Sequence, residues 1–370
     1  MLSFDDIEVH RPALASSYLA LLAAQPGRPI ALFAPRRVGK TFFLDSDLAP
    51  AARDAGLVPV YADLWLHREA PLEAINHALE EAIDDVSVPA TKAGRRARTA
   101  VKGVTAFGAG IEFGDEPARR SLPSEPSLRL DALVLRLAHA ARRPVLLMLD
   151  EAQTLGEHAE AAVMLSALRA VLHKRRQYVH AVLTGSSQDA IAAMVSAAGA
   201  PMYQFAQLLD FPVLGQEFLE LLVRRFRQVH PGKRLSASDL MPVFEKIGFK
   251  PQLMKDVVKE MSAEGSTDPA AAFERLIRQE RHIAGWLAIL DTLTPIDRAL
   301  LVLIAEERPP LARDSIAALK KTAKDATVSK VRASLERLKR SGLISSSARR
   351  VQVEDPLLRG YLTSDAQRLT

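Results

Sequence analysis

Hydrophobic positions along the chain follow two alternating signatures. Short apolar runs at 30–34 (I-A-L-F-A), 57–63 (L-V-P-V-Y-A-D), 144–150 (P-V-L-L-M-L-D) and 178–184 (Y-V-H-A-V-L-T) are bounded by turn or polar residues and read as buried strands. Between them, apolar residues recur at helical spacing over 12–24, 71–85 and 127–142. The break Gln25-Pro26-Gly27 separates the first helix from the first strand. Strands alternating with helices predict an α/β fold, a parallel sheet with helices on both faces. From 216 onward helical patterns follow one another at 216–229, 238–246 and 251–262, and after a Gly-Ser-Thr-Asp-Pro break a further helix runs through Trp286.

The first strand runs into A-P-R-R-V-G-K-T, residues 34–41. A strand, a short loop and a helix opened by Gly39-Lys40-Thr41 make a Walker A, or P-loop, arrangement. The loop N–H groups of Ala34, Pro35, Arg36, Arg37, Val38 and Gly39 (the proline contributing none) and the helix N-terminus form a cradle for phosphates. Lys40 would reach the β- and γ-phosphates, and the Thr41 hydroxyl would ligate Mg²⁺. Ala34 stands where the pattern has glycine; a methyl crowds the turn but removes no donor.

About 110 residues later, L-M-L-D-E-A-Q ends an apolar strand in Asp150-Glu151, a Walker B pattern. Asp150 would hold Mg²⁺ through water, and Glu151 would orient and deprotonate an attacking water. The strand at 178–184 ends in T-G-S-S, and in a parallel sheet its end lies on the same edge as both motifs. Thr184, with Ser186 as the fallback, is a candidate contact to the attacking water or γ-phosphate. It equally fits a simple turn. The Gly-Ser-Ser is not a nucleophile elbow, since it lacks G-x-S-x-G.

Composition narrows the chemistry further. The 370 residues contain no cysteine, which excludes disulfides, thiolate metal sites and cysteine nucleophiles. The first residues, M-L-S-F-D-D, are acidic where a signal peptide is basic, and no apolar run reaches the ~18 residues of a membrane span, so a cytoplasmic location is expected. Residues 88–125 interrupt the α/β rhythm. Residues 91–103 hold five basic side chains and no acidic one, and read as an insertion that is either a phosphate-contacting loop or a solvated excursion. The net charge of +5 is concentrated at the end of the chain, with 15 Lys or Arg against 9 Asp or Glu from 294 to 370. Helices at 295–306, 313–321 and 328–340, then short strands at 343–344 and 351–353, spell a winged helix-turn-helix. Lys330, Arg332 and Arg337 on its third helix, and Arg349 and Arg350 at the wing tip, are candidate contacts to duplex DNA. The same domain could serve protein contacts alone.

Taken together, A-P-R-R-V-G-K-T, the Asp63-ending second strand, L-D-E-A-Q, T-G-S-S and V-E-D-P-L-L-R-G-Y-L resemble the archaeal-type ATPase family. That family is similar to AAA+ initiators of the origin-recognition type and to STAND ATPases. The resemblance implies a P-loop NTPase core over 1–214 with the insertion 88–125, a helical lid over 215–289 and a winged helix-turn-helix over 290–370. It also implies that the winged helix binds DNA. ATP and Mg²⁺ are the expected cofactors, and self-association on ATP binding and a further protein partner stay open. Lids of this kind supply a basic residue to the γ-phosphate, for which Lys250 is the candidate. The family pattern P-L-Y-G-R is replaced here by P-M-Y-Q-F, with Phe205 in the arginine's place and Arg224 and Arg225 as candidate substitutes. The expected activity is a slow, activator-dependent ATPase coupled to DNA binding. A nucleotide-gated scaffold and a P-loop small-molecule kinase are the rivals.

Overall fold

The computed structural model describes residues 3–87, 121–158, 160–186, 188–196, 199–323, 326–347 and 350–364. The basic stretch 91–103, read as a phosphate-contacting loop or a solvated excursion, and Arg349 lie outside the described residues. Two compact units divide the chain: His10–Ala34 with Gly39–Pro212, and Met1–Val9 with Pro35–Val38 and Val213–Thr370.

The unit built on residues 10–34 and 39–212 carries a five-stranded sheet of β1 (Ile30–Phe33), β2 (Val58–Asp63), β3 (Val145–Asp150), β4 (Val179–Gly185) and β5 (Gln207–Asp210), in the order β2-β3-β4-β1-β5. Every pairing is parallel. A parallel sheet needs cover on both faces, and β1, β3 and β4 are buried along their whole length. One face, with Ala31, Val60, Leu147, Leu149, Ala181 and Leu183, packs under the helices Pro71–Ser87, Pro126–Ala141, Ala161–Lys174 and Gln188–Ser196. Residues of opposite parity, Ile30, Leu32, Met148 and Val182, point the other way. On that side lie Pro12–Ala24 and the helical stretch made of Lys40–Phe43, a π-turn at Leu44–Leu48, and Ala49–Asp54. Tyr18 meets Phe43 edge-on at 5.8 Å, and Phe43 meets Phe211 at 5.4 Å. The sequence pattern did not foresee β5, a four-residue edge strand whose alternating half-burial and polar ends give it no continuous apolar run.

The other unit is helical. Gln216–Val229, Ala237–Lys246, Pro251–Ala263, Pro269–Ile277 and Glu280–Thr292 share one hydrophobic core with the C-terminal helices. The single helix expected through Trp286 is two helices, because Asp268 caps the first through Ala270 and Ala271 N–H and the chain turns at Arg278–Gln279. Phe4 and Ile7 are buried in the same core. The segment around them is tied by Asp5 to Lys259 at 2.6 Å and to Gln252 at 3.0 Å, by Lys255 Nζ to the Asp5 carbonyl at 3.0 Å, and by Arg225 to the Ser3 carbonyl at 3.0 Å.

At its end, Pro295–Ala305, Arg313–Thr322 and Val328–Arg340 precede an antiparallel hairpin of β6 (Ile344–Ser347) and β7 (Arg350–Val353), in register Ile344 to Val353. This is the winged helix-turn-helix that the pattern predicts. Thr294 and Thr327 cap the first and third helices through the N–H groups of Asp297 and Lys330. A closing helix, Pro356–Ser364, buries Leu357, Leu358, Tyr361 and Leu362.

His180, on β4 and 6% exposed, gives the fold a pH signature. Burial pushes its imidazole pKa down to about 4 from 6.5. The unfolded chain therefore binds a proton near pH 6.5 that the folded protein takes only near 4, so this contribution is full above 6.5 and is lost as pH falls towards 4. That depression corresponds to about 3 kcal/mol at most. Urea midpoints measured from pH 7 to 4 are expected to fall less steeply in His180→Gln than in the parent chain. Parallel slopes would show that His180 is not the titrating group.

Candidate functional site

β1 delivers the chain into the loop at 34–41. Ala34 is 2% exposed; its N–H donates to the Gly185 carbonyl at 3.3 Å. Arg37 (φ 64°) and Gly39 (φ 95°) both turn left-handed before the helix begins at Lys40. Nothing lies within 4 Å of a β-carbon built on Gly39, so that position asks for glycine through its backbone angle and not through crowding. Lys40 is 5% exposed and donates from Nζ to the Ala34 carbonyl at 2.6 Å. Its ammonium is thereby held inside its own loop, where the departure from glycine leaves the carbonyl in reach.

Across β4 from β1, the Asp150 carboxylate ends β3 at 3% exposure. Its Oδ2 accepts from the Thr41 hydroxyl at 2.7 Å and from the Tyr61 hydroxyl at 3.2 Å. Its Oδ1 accepts from the Thr184 hydroxyl and from the Glu151 N–H at 3.0 Å. Parity explains the grouping: Leu149 pairs with Leu183 and Tyr61 with Met148, so Asp150, Thr184 and Tyr61 share one face of the sheet. Tyr61 was not foreseen from sequence. Its phenol pKa is raised by burial and by the charges of Asp150, Asp63 and Glu151, which keeps the hydroxyl a donor.

Glu151 turns left-handed at φ 52°, an unusual backbone for a non-glycine residue. The turn carries its side chain to the opposite side, where Oε2 accepts from the Ser186 hydroxyl at 2.7 Å and from the Gln153 amide. Gln153 also donates to Ser186 Oγ at 3.3 Å, and the Ala152 N–H donates to the Thr184 carbonyl at 2.8 Å. Of the two residues proposed beside the site from T-G-S-S, Thr184 thus meets Asp150 and Ser186 meets Glu151. Gln153 is a second site residue that sequence reasoning missed, although the L-D-E-A-Q run contains it.

These oxygens suit one cation in particular. Hard oxygen donors in small number fit Mg²⁺, which keeps several waters and shares phosphate oxygens instead of demanding a protein cage. No group of three or more His, Cys, Asp and Glu side chains among the described residues could hold a metal alone. A hydroxyl and a carboxylate beside the 34–41 loop meet the smaller requirement.

Several expectations are corrected elsewhere in the chain. Lys250 is neither solvated nor left for a phosphate: its Nζ donates to the Glu354 carbonyl and lies 3.5 Å from the Glu354 carboxylate. Burial lowers its pKa, and Glu354 and Asp355 oppose the shift. Arg225 is bound to the Ser3 carbonyl, and Arg224 is exposed. Phe205 is half-buried under the Arg169 guanidinium, 5.2 Å from its ring centre, and Arg169 also donates to the Pro201 carbonyl. Arg337 is exposed over 43% of its side chain yet paired, giving Nε at 3.2 Å and an NH2 group at 2.7 Å to Asp297, which also accepts from Ser334 and Thr294. Burial alone would raise the Asp297 pKa, but these donors hold it below the usual carboxylate range. Lys330, Arg332 and Arg350 stand exposed.

A parallel sheet whose phosphate loop follows β1, with β4 intervening before the acidic end of β3, is a P-loop NTPase core. Here it belongs to a chain that also carries a winged helix-turn-helix. The chain is similar to the Walker-type ATPase of Pyrococcus abyssi at 19% identity and a TM-score of 0.55, over 96% of each chain. It is also similar to the Aeropyrum pernix ORC2 protein in its ADP form, at 15% identity and a TM-score of 0.49, over 97% of this chain and 92% of that one. No protein-family model and no curated protein matches the sequence. The first likeness is one of fold, the fold that the sequence resemblance implied.

Gly185 is the tightest point of the site. A β-carbon there would come within 2.6 Å of both Gln153 Oε1 and Ile191 Cγ1. Gly185→Ala is expected to cost about 1–3 kcal/mol through overpacking, read as a lowered urea midpoint. An unchanged midpoint would mean that this corner has slack.

Proposed function

We propose that this protein binds ATP with Mg²⁺, hydrolyses it slowly, and uses the nucleotide as a switch coupled to duplex DNA binding by its winged helix. The observation that carries the reading is the joining of the P-loop to the end of β3 through the Thr41 hydroxyl on Asp150 at 2.7 Å. In this reading the loop N–H groups of 34–39 and Lys40 bind the phosphates. Thr41 and Asp150 hold Mg²⁺, which supplies charge neutralisation on the phosphate oxygens. Thr184 orients Asp150 from the neighbouring strand.

Glu151 takes the role of base. Its carboxylate accepts from Ser186 and Gln153, so those donors must release Oε2 before it can accept from an attacking water. An apolar ring at Phe205 offers no charge to a developing phosphate anion. Both features favour slow turnover until a partner or DNA rearranges the site. That the fold is shared with a protein described as a Walker-type ATPase adds support. For DNA, the support is the basic, exposed set Lys330, Arg332 and Arg350 on the third helix and the wing; Arg337, also exposed but ion-paired with Asp297, is assigned to the fold.

Two experiments test the two halves. Lys40→Ala is expected to lose ATP binding, while Glu151→Gln keeps binding and loses turnover, as followed by a fluorescent nucleotide and by phosphate release. Equal loss of binding in both variants would overturn the role assignment. Duplex DNA affinity of the whole chain is expected to fall with salt at a log–log slope of about −0.9 per phosphate neutralised. Reversing Lys330, Arg332 and Arg350 to Glu should weaken binding on every sequence and flatten that slope by about one unit per charge site. Absence of DNA affinity at low salt would favour a winged helix that contacts protein.

A further inference from the structure

Asp150 has no acceptor capacity left. An ionised carboxylate offers about four lone-pair positions, and four donors occupy them: Thr41 and Tyr61 on Oδ2, Thr184 and the Glu151 N–H on Oδ1. Mg²⁺ usually arrives with several of its waters, and each water that is to be held by Asp150 needs an acceptor position already in use. One of the four donors must therefore yield.

The four are not equally replaceable. The Glu151 N–H is backbone, fixed by the turn at φ 52°. Thr184 is 1% exposed on a central strand. Thr41 can keep its proton on Asp150 while its oxygen lone pair turns to a cation. Tyr61 differs on every count. Its hydrogen bond, at 3.2 Å, is the longest of the four to Asp150. Its side chain sits on β2, which pairs with β3 and is separated from β1 and its loop by two strands, β3 and β4. At 37% exposure the ring borders water, so its hydroxyl can exchange Asp150 for solvent at small cost.

We propose that Tyr61 is a placeholder for Mg²⁺ at this site, its hydroxyl occupying the position on Asp150 that the cation's hydration shell takes over when Mg²⁺ and nucleotide bind. The inference rests on the nucleotide-site reading above. It makes Tyr61 a positioning residue that competes with the metal and steadies the carboxylate when the metal is absent. Asp150 then need not rotate on binding, because one donor replaces another at the same oxygen.

The consequence is directional. Tyr61→Phe removes the competitor and keeps the ring. The Mg²⁺ affinity of the protein·ADP complex, measured by titration calorimetry with MgCl₂, is expected to rise about 2- to 10-fold, the equivalent of one net hydrogen bond. ADP affinity in EDTA should be unchanged. Tyr61→Trp, which fills the same border position without that hydroxyl, repeats the test if the first variant is unstable. Unchanged or weakened Mg²⁺ affinity with intact ADP binding would overturn the placeholder role while leaving the site reading in place. Failure of the parent protein to bind ADP with or without Mg²⁺ would instead overturn the site reading itself.

Discussion

The arrangement of the sheet's carboxyl edge follows from one buried charge. A carboxylate at 3% exposure is tolerable only if its oxygens are supplied with donors, and Asp150 draws them from the P-loop helix, from β2, from β4 and from its own turn. That demand links four segments far apart in sequence, with Thr41 109 positions away and Tyr61 89. It also fixes register. A slip of β3 by one residue would carry Asp150 to the opposite face, beside Leu183 and its helices, and away from the Thr41, Tyr61 and Thr184 hydroxyls. The order β2-β3-β4-β1-β5 is the topology in which β4 and β2 flank Asp150 and a helix after β1 can still reach it.

What the sequence made legible were features encoded locally. Continuous apolar runs marked β1 to β4, and G-K-T and D-E at strand ends named Lys40, Thr41, Asp150 and Glu151, because these groups are specified by neighbours within a few residues. Thr184 was reachable through one non-local rule, that parallel strands share an edge. Tyr61 was beyond reach: its hydroxyl acts on the adjacent strand, and the pairing of Tyr61 with Met148 is a register that no single-strand pattern encodes. Gln153 was hidden in plain view, since its amide matters only after Glu151 turns left-handed. β5 escaped because four residues with alternating exposure leave no run to detect.

Basic residues show the same limit from the other side. Counting charge in the last fifth of the chain located a basic domain but treated its members as equivalent. Asp297, 40 positions before Arg337, separates them by holding that guanidinium with two hydrogen bonds. Lys250 is likewise held by Glu354, 104 positions away. An arginine or lysine is available to a phosphate only if no buried carboxylate has claimed it, and the claimants are found by folding, not by spacing.

Phe4 and Ile7 have a consequence for the order in which the protein assembles. They precede the whole sheet along the chain, yet their core is made of residues beyond 213, and the Asp5 carbonyl waits for Lys255, 250 positions later. At a synthesis rate of about 5–20 residues per second, the segment spends roughly 10–50 s without its partners while the sheet and its helices emerge and can fold. During that interval it is an unshielded apolar segment. The two acidic residues that follow Phe4, Asp5 and Asp6, would keep it in water until the lysines of the 251–263 helix arrive to receive it.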